Sequence, residues 1–248
     1  MPSPYELHEE SVAYVDIITA CLKRYGVTNS TTSDTFRGPR TLTELRYGSA
    51  DPAWAAKYGY WMPGDDKAPP AERETDPDEQ KLLEGTVPTY KGKKVSAGGC
   101  VGEARAQLSG VAGVSAKDYG SLLAVTNELE TNAYHAAQSD PAVKEAQQAW
   151  SSCMKSKGYT FPADVFAASN SLDLPDIRKP PATGSAEVKL AIADAQCVQK
   201  SGIIQAWSSK ESALQKAEIA KNPQKWKHLQ GQYRARQELV QKALKNHR

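Results

Sequence analysis

The sequence predicts an all-α protein: a helical bundle built on a long C-terminal helical hairpin, with an extended acidic Pro-rich loop, tied by two disulfides. Three observations predict it. Apolar residues recur at steps of three and four through most of the 248-residue chain, the period of an amphipathic helix. Capping residues, prolines and glycines bracket those segments. The four cysteines, Cys21, Cys100, Cys153 and Cys197, form an even set without a CxxC, which suits disulfides in an oxidising compartment better than zinc. The expected organisation is a single helical domain over residues 1–248, with 62–99 a mobile acidic loop, 170–184 a linker and 185–246 the long C-terminal helices. A composition of 40% hydrophobic and 24% charged residues, at a mean hydropathy of −0.59, points to a thin core and polar loops.

The first helix is expected over Pro4–Tyr25, where Leu7, Tyr14, Ile18 and Leu22 share a face and Gly26 supplies the stop. Within it, Ile18-Thr19-Ala20-Cys21 matches a lipoprotein cleavage pattern. The match is accidental, because Glu6, Glu9, Glu10 and Asp16 precede it and a basic start is missing. An exported protein would instead carry a leader ahead of Pro2, with Met1 a later addition.

Thr28 to Arg46 is Ser/Thr-rich and irregular. Asp51-Pro52 then caps a short helix that Gly59 ends. Around it Tyr47, Trp54, Tyr58, Tyr60 and Trp61 form the densest aromatic group in the chain. Such a group either stacks a ligand ring or pins a loop onto the helical core, and it is the candidate contact region. Asp65 to Glu84 holds eight acids against three bases, and the apolar-poor stretch 63–99 reads as loop apart from one short helix at 77–84.

Further helices are expected at Val101–Leu108, from Ser115 to about Gln138, and from Asp140-Pro141 to Lys157, with Ala163–Ala168 adding a turn. Ser115-x-x-Asp118 resembles a capping box. Ser185 opens the C-terminal stretch, where Val188, Ile192, Ala195, Val198, Trp207 and Leu214 keep helical spacing. Gly202 weakens this helix by ~1 kcal/mol relative to Ala without ending it. Asn222-Pro223 marks a break and restart, and Trp226, Leu229, Tyr233, Val240 and Leu244 continue the stripe. An antiparallel hairpin is the simplest use of two such helices, and one kinked helix the alternative.

A local pattern recurs at Cys21…Gly26, Cys153…Gly158 and Cys197…Gly202. It reads as convergent helix capping, with cysteines set where helix ends can be stapled. Four cysteines allow three pairings. If the helices after Cys100 and before Lys157 both run antiparallel to the one between them, Cys100 and Cys153 fall at similar height. That favours Cys100–Cys153 and Cys21–Cys197.

Catalytic signatures such as HExxH, GxSxG and a phosphate loop are missing, so catalytic, cofactor-binding and metal residues are assigned as none. Glu128, Asn132 and His135 share one helical face, which suits a metal or an acid–base pair, although a lone histidine on a helix is far more often structural. Apolar runs stay short of the ~18 residues of a membrane span, so no transmembrane segment is expected. Lys221 to Arg248 holds eight bases against Glu238 alone, a surface for anionic lipid or an acidic partner, or a solvated face. Nucleic acid is not expected, since the aromatics of this helix are occupied by its own core stripe.

Several stretches together, Arg46-Tyr-Gly with Lys57-Tyr-Gly-Tyr60, Gly99-Cys-Val-Gly-Glu-Ala104, Trp150-Ser-Ser-Cys-Met154 with Gly158-Tyr159, and Ala193-Asp194-x-x-Cys197, occur in one order. In this the chain, from about Ala20 to Leu244, resembles uncharacterised exported or lipoprotein-like all-helical proteins of actinobacteria. The resemblance implies an extracytoplasmic, disulfide-tied helical body and brings no activity. The expected function is therefore an extracytoplasmic, secreted or cell-surface, non-enzymatic interaction or ligand-binding protein, whose partner is a protein or small ligand at the cell surface. Free secretion and lipid anchoring both stay open. The alternatives are an enzyme with an unrecognised active site, and an accessory protein of an export system or anionic-surface binder acting through the basic C-terminal helix.

Overall fold

A computed structural model describes residues 3–28, 46–63, 76–172 and 180–247. The described residues form ten α-helices and one two-stranded hairpin, so the all-α class holds. The chain divides into two compact units where one domain was expected. One comprises Met1–Phe36, Pro69–Asn127 and Asn222–Arg248, the other Arg37–Ala68 and Glu128–Lys221.

In the first unit, α1 (Pro4–Arg24) starts at a full capping box, with the Ser3 hydroxyl accepting from the Glu6 amide and the Glu6 carboxylate accepting from the Ser3 amide. Its buried face, Val12, Ala13 and Ile17, packs with Ala104 and Leu108 of α4 (Gly99–Ser109) and with Val240, Ala243 and Leu244 of α10 (Pro223–His247). The C-terminal stretch expected to form one hairpin is instead divided: α10 belongs to this unit, packed on α1 and α4, whereas residues 185–221 belong to the other. One buried polar cluster enters this core. Arg236 donates to the Glu10 carboxylate and, over 2.8 Å, to the Tyr119 carbonyl, while its guanidinium carbon lies 3.7 Å from the Tyr119 ring centroid. Both side chains of the ion pair are under 10% exposed, and removing one partner of such a pair typically costs ~3–5 kcal/mol because a lone charge stays buried.

The second half of the expected mobile loop is ordered. Residues 64–75 lie outside the described residues, but α3 (Pro77–Glu84) buries Leu82 completely. The hairpin of β1 (Thr89–Tyr90) and β2 (Lys93–Lys94) turns through Lys91-Gly92, both at positive φ, the conformation a two-residue hairpin demands. Val95 then packs with Leu22, Leu82 and Cys100. α3 meets the start of α4 at a glycine crossing. A Cβ on Gly99 would sit 2.2 Å from the Leu82 carbonyl oxygen, and one on Gly85 2.2 Å from the Gly99 nitrogen, so only hydrogen fits at either position.

In the second unit, α2 (Pro52–Tyr58) lies on α8 (Ala186–Ser201) through Ala55, Ala191 and Ala195. α6 (Pro141–Ser156), α7 (Val165–Asn170), α8 and α9 (Ile203–Lys221) share a core that includes Val143, Trp150, Met154, Ala168, Cys197 and Trp207. The continuous helix expected across Gly202 is broken there. Gly202 has φ +67° and ends α8, so the third Cys…Gly pattern is a helix C-terminus like the first two. α5 (Ala116–Gln138) begins at the Ser115–Asp118 box and contributes its two ends to different units.

The disulfides are Cys21–Cys100 and Cys153–Cys197, with Cα separations of 5.5 and 5.6 Å. The expected pairs Cys100–Cys153 and Cys21–Cys197 are therefore wrong. That expectation set α4 and α6 as two neighbours of α5 in one bundle. Instead α4 packs on α1 and α3, and α6 on α8 and α9, so each bond staples two helices of one unit. Cys21 is thereby committed to Cys100, in keeping with an accidental lipoprotein pattern. Among the described residues no helix is long and apolar enough to cross a membrane.

Candidate functional site

The second unit contains a cleft of about 320 Å³, at the lower end of the range for small-molecule sites. Its lining comes from five helices, α5 to α9, and from the segments beside α2. Trp207 of α9 is fully buried by helical spacing from Ile203, and its ring stacks on Tyr134 of α5 at 4.7 Å and 22°. Tyr47 lies 6.0 Å from both rings, and Phe166 of α7 meets both edge-on. Trp150 of α6 stacks on Phe161 at 6.1 Å and 25°. Such offset and edge-on arrangements are those the ring quadrupole favours.

Two carboxylates stand among these rings in different states. Glu211, nearly fully buried, accepts both from Arg46 Nε, at 3.1 and 3.0 Å, and from Arg46 Nη2 and the Tyr47 hydroxyl. It is a charge paired with a planar cation in fork geometry. Arg46 also donates to the Glu130 carbonyl at 3.1 Å, and its guanidinium carbon is 4.8 Å from the Tyr134 ring centroid. Burial pushes the Glu130 carboxyl above its ordinary range, partly offset by Arg46.

Asp194 of α8 is different. Its Oδ1 accepts from Trp150 Nε1 at 2.8 Å and its Oδ2 from the Tyr60 hydroxyl at 3.2 Å. Both donors are neutral, and among the described residues no basic side chain pairs with it. Burial raises its carboxyl above the usual range, and the two donated hydrogen bonds only partly reverse this. Tyr60 is raised in turn, by burial and by the Asp194 charge, and its backbone amide donates to Glu187 at 3.2 Å. Of the charged side chains, Arg46 and Asp194 line the cleft, and Arg46 is already paired with Glu211.

Of the aromatic group singled out from sequence, Tyr47 and Tyr60 line the cleft. Trp54, Tyr58 and Trp61 do not. They form a separate stack, with centroids 4.3 and 5.8 Å apart, in which Trp61 is buried. Glu128, Asn132 and His135 all lie on an exposed face of α5, and among the described residues no group of three or more His, Cys, Asp or Glu could hold a metal ion. On α10, Lys225, Lys227, Arg234, Lys242 and Lys245 are exposed while Arg236 is buried in its ion pair. A wider groove of about 540 Å³ runs along α1 and α10, but charged and amide side chains such as Glu9, Gln241 and Lys245 line it, without aromatic surface to hold a ligand.

Sequence reading missed Arg46, Tyr134, Trp150, Asp194 and Glu211 as one site. A signal existed. Asp194 falls four residues after Leu190 and four before Val198, and Glu211 four after Trp207 and three before Leu214. Each carboxylate therefore sits on the apolar stripe of its helix, where an acid is costly unless something answers it. Comparison of the chain with protein families, curated proteins and solved structures finds no match.

Proposed function

We propose that this chain is an extracytoplasmic ligand-binding protein, secreted or held at the cell surface, whose site is the aromatic cleft of the second unit. The observation that carries the reading is the convergence of seven aromatic rings, Tyr60, Tyr134, Trp150 and Trp207 among them, with Asp194 on one cavity of about 320 Å³. Sites for small molecules combine apolar and aromatic lining with a few placed polar groups in this way. The two disulfides suit an oxidising compartment, which supports the extracytoplasmic setting. The lining offers stacking surface and a carboxylate, Asp194, held by Tyr60 and Trp150, which supports a binding role.

Phenylnaphthylamine, a neutral aromatic dye whose emission rises in apolar surroundings, is the direct probe. Titration should give a saturable rise. Ser169→Trp, an exposed position lining the cleft, should weaken binding at least ~10-fold while circular dichroism stays unchanged. A folded protein giving no saturable signal, or equal binding by the blocked variant, would contradict the assignment.

A further inference from the structure

Among the described residues Asp194 has no counter-charge. Its two oxygens each accept one hydrogen bond, from Trp150 Nε1 and the Tyr60 hydroxyl, whereas an ionised carboxylate has room for about four. The nearest cation lining the same cavity, Arg46, is held by Glu211 through a fork of hydrogen bonds and also faces Glu130. A purely apolar ligand would strip remaining water from Asp194 and leave its charge unanswered, which is unfavourable. An anion would meet Asp194, while the guanidinium lining the cavity, Arg46, is already committed to Glu211. A cation relieves the imbalance, and the surrounding rings favour positive charge that carries an apolar shell, because their faces are electron-rich.

Resting on the ligand-binding assignment above, we infer that the cleft takes a small organic cation, an alkylated or quaternary ammonium, with its charge against Asp194 and its alkyl groups against Tyr60, Trp150 and the Tyr134–Trp207 stack. A hydrated metal ion is disfavoured, since one carboxylate among aromatic rings offers too few oxygen ligands.

The test uses the full chain with its disulfides intact and compares choline with dimethylbutanol, its uncharged isostere in which carbon replaces the nitrogen. Calorimetry should show choline binding at least ~10-fold tighter than the isostere. Asp194→Asn, which keeps the shape and an acceptor for Trp150, should abolish that preference. If the two compounds bind alike, or if Asp194→Asn keeps the preference, the cation inference is wrong and the ligand-binding assignment stands. If neither binds while phenylnaphthylamine still does, the cation inference again falls alone. If none of the three binds, both fall together.

Discussion

The Asp194 carboxylate lies between an indole N–H and a phenol O–H, with Glu187 close by on the Tyr60 amide and, among the described residues, no cation paired with it. Burial favours its neutral form, so its folded-state pKa lies above the unfolded value. In the window between those two values the folded protein binds the proton and the unfolded chain does not. Stability therefore falls as pH rises from the ordinary carboxylate range through the folded pKa. Asp194→Asn fixes a neutral side chain of the same shape. At pH 7 its unfolding free energy, measured in urea, should equal or exceed that of the parent, and the gap should close in acid. A variant less stable at pH 7 by more than ~1 kcal/mol would mean the ionised group is structurally required. Glu211, by contrast, is answered within the protein by Arg46 and Tyr47. At this scale the sequence was partly legible. Tyr47 and Tyr60 stood out as aromatics, but an acid on an apolar stripe announces only that a partner exists, and Trp150 and Arg46 are distant in the chain.

The helices themselves were the legible part, because their signals are local. Asp51, Asp140 and Ser185 each cap a helix with a side-chain acceptor as their sequence context implied. The miss at Gly202 arose because a glycine's cost inside a helix is small, whereas its ease at positive φ lets tertiary packing end the helix there. The hairpin at 89–94 was hidden by its brevity, two residues per strand, with only Lys91-Gly92 to mark the turn. The disulfides act between elements. Cys21–Cys100 closes 79 residues and Cys153–Cys197 closes 44, which the chain-entropy relation converts to ~4.5 and ~4 kcal/mol. The double variant Cys21→Ser/Cys100→Ser should lower the urea stability of α1 and α4 by an amount of that order. A loss below ~1 kcal/mol would mean that native strain or residual structure in the unfolded chain cancels the constraint.

At the scale of the molecule, each of the two units carries its own core and its own disulfide. This was the least legible level. Periodicity shows which face of a helix is buried but not which helix it meets, so placing α4 and α6 together gave the wrong cysteine pairs. The units also differ in use: the first joins Glu10, Arg236 and Tyr119 in one buried cluster, while the second leaves Asp194 facing a cavity. The central claim is that this cavity is where a ligand binds. Hydrogen exchange with and without saturating phenylnaphthylamine tests it most directly. Added protection should fall in α6, α7, α8 and α9, around Trp150, Phe166, Asp194 and Trp207, with α1, α4 and α10 unchanged. Protection gained along α1 and α10 instead, with the cleft helices unaffected, would contradict the account.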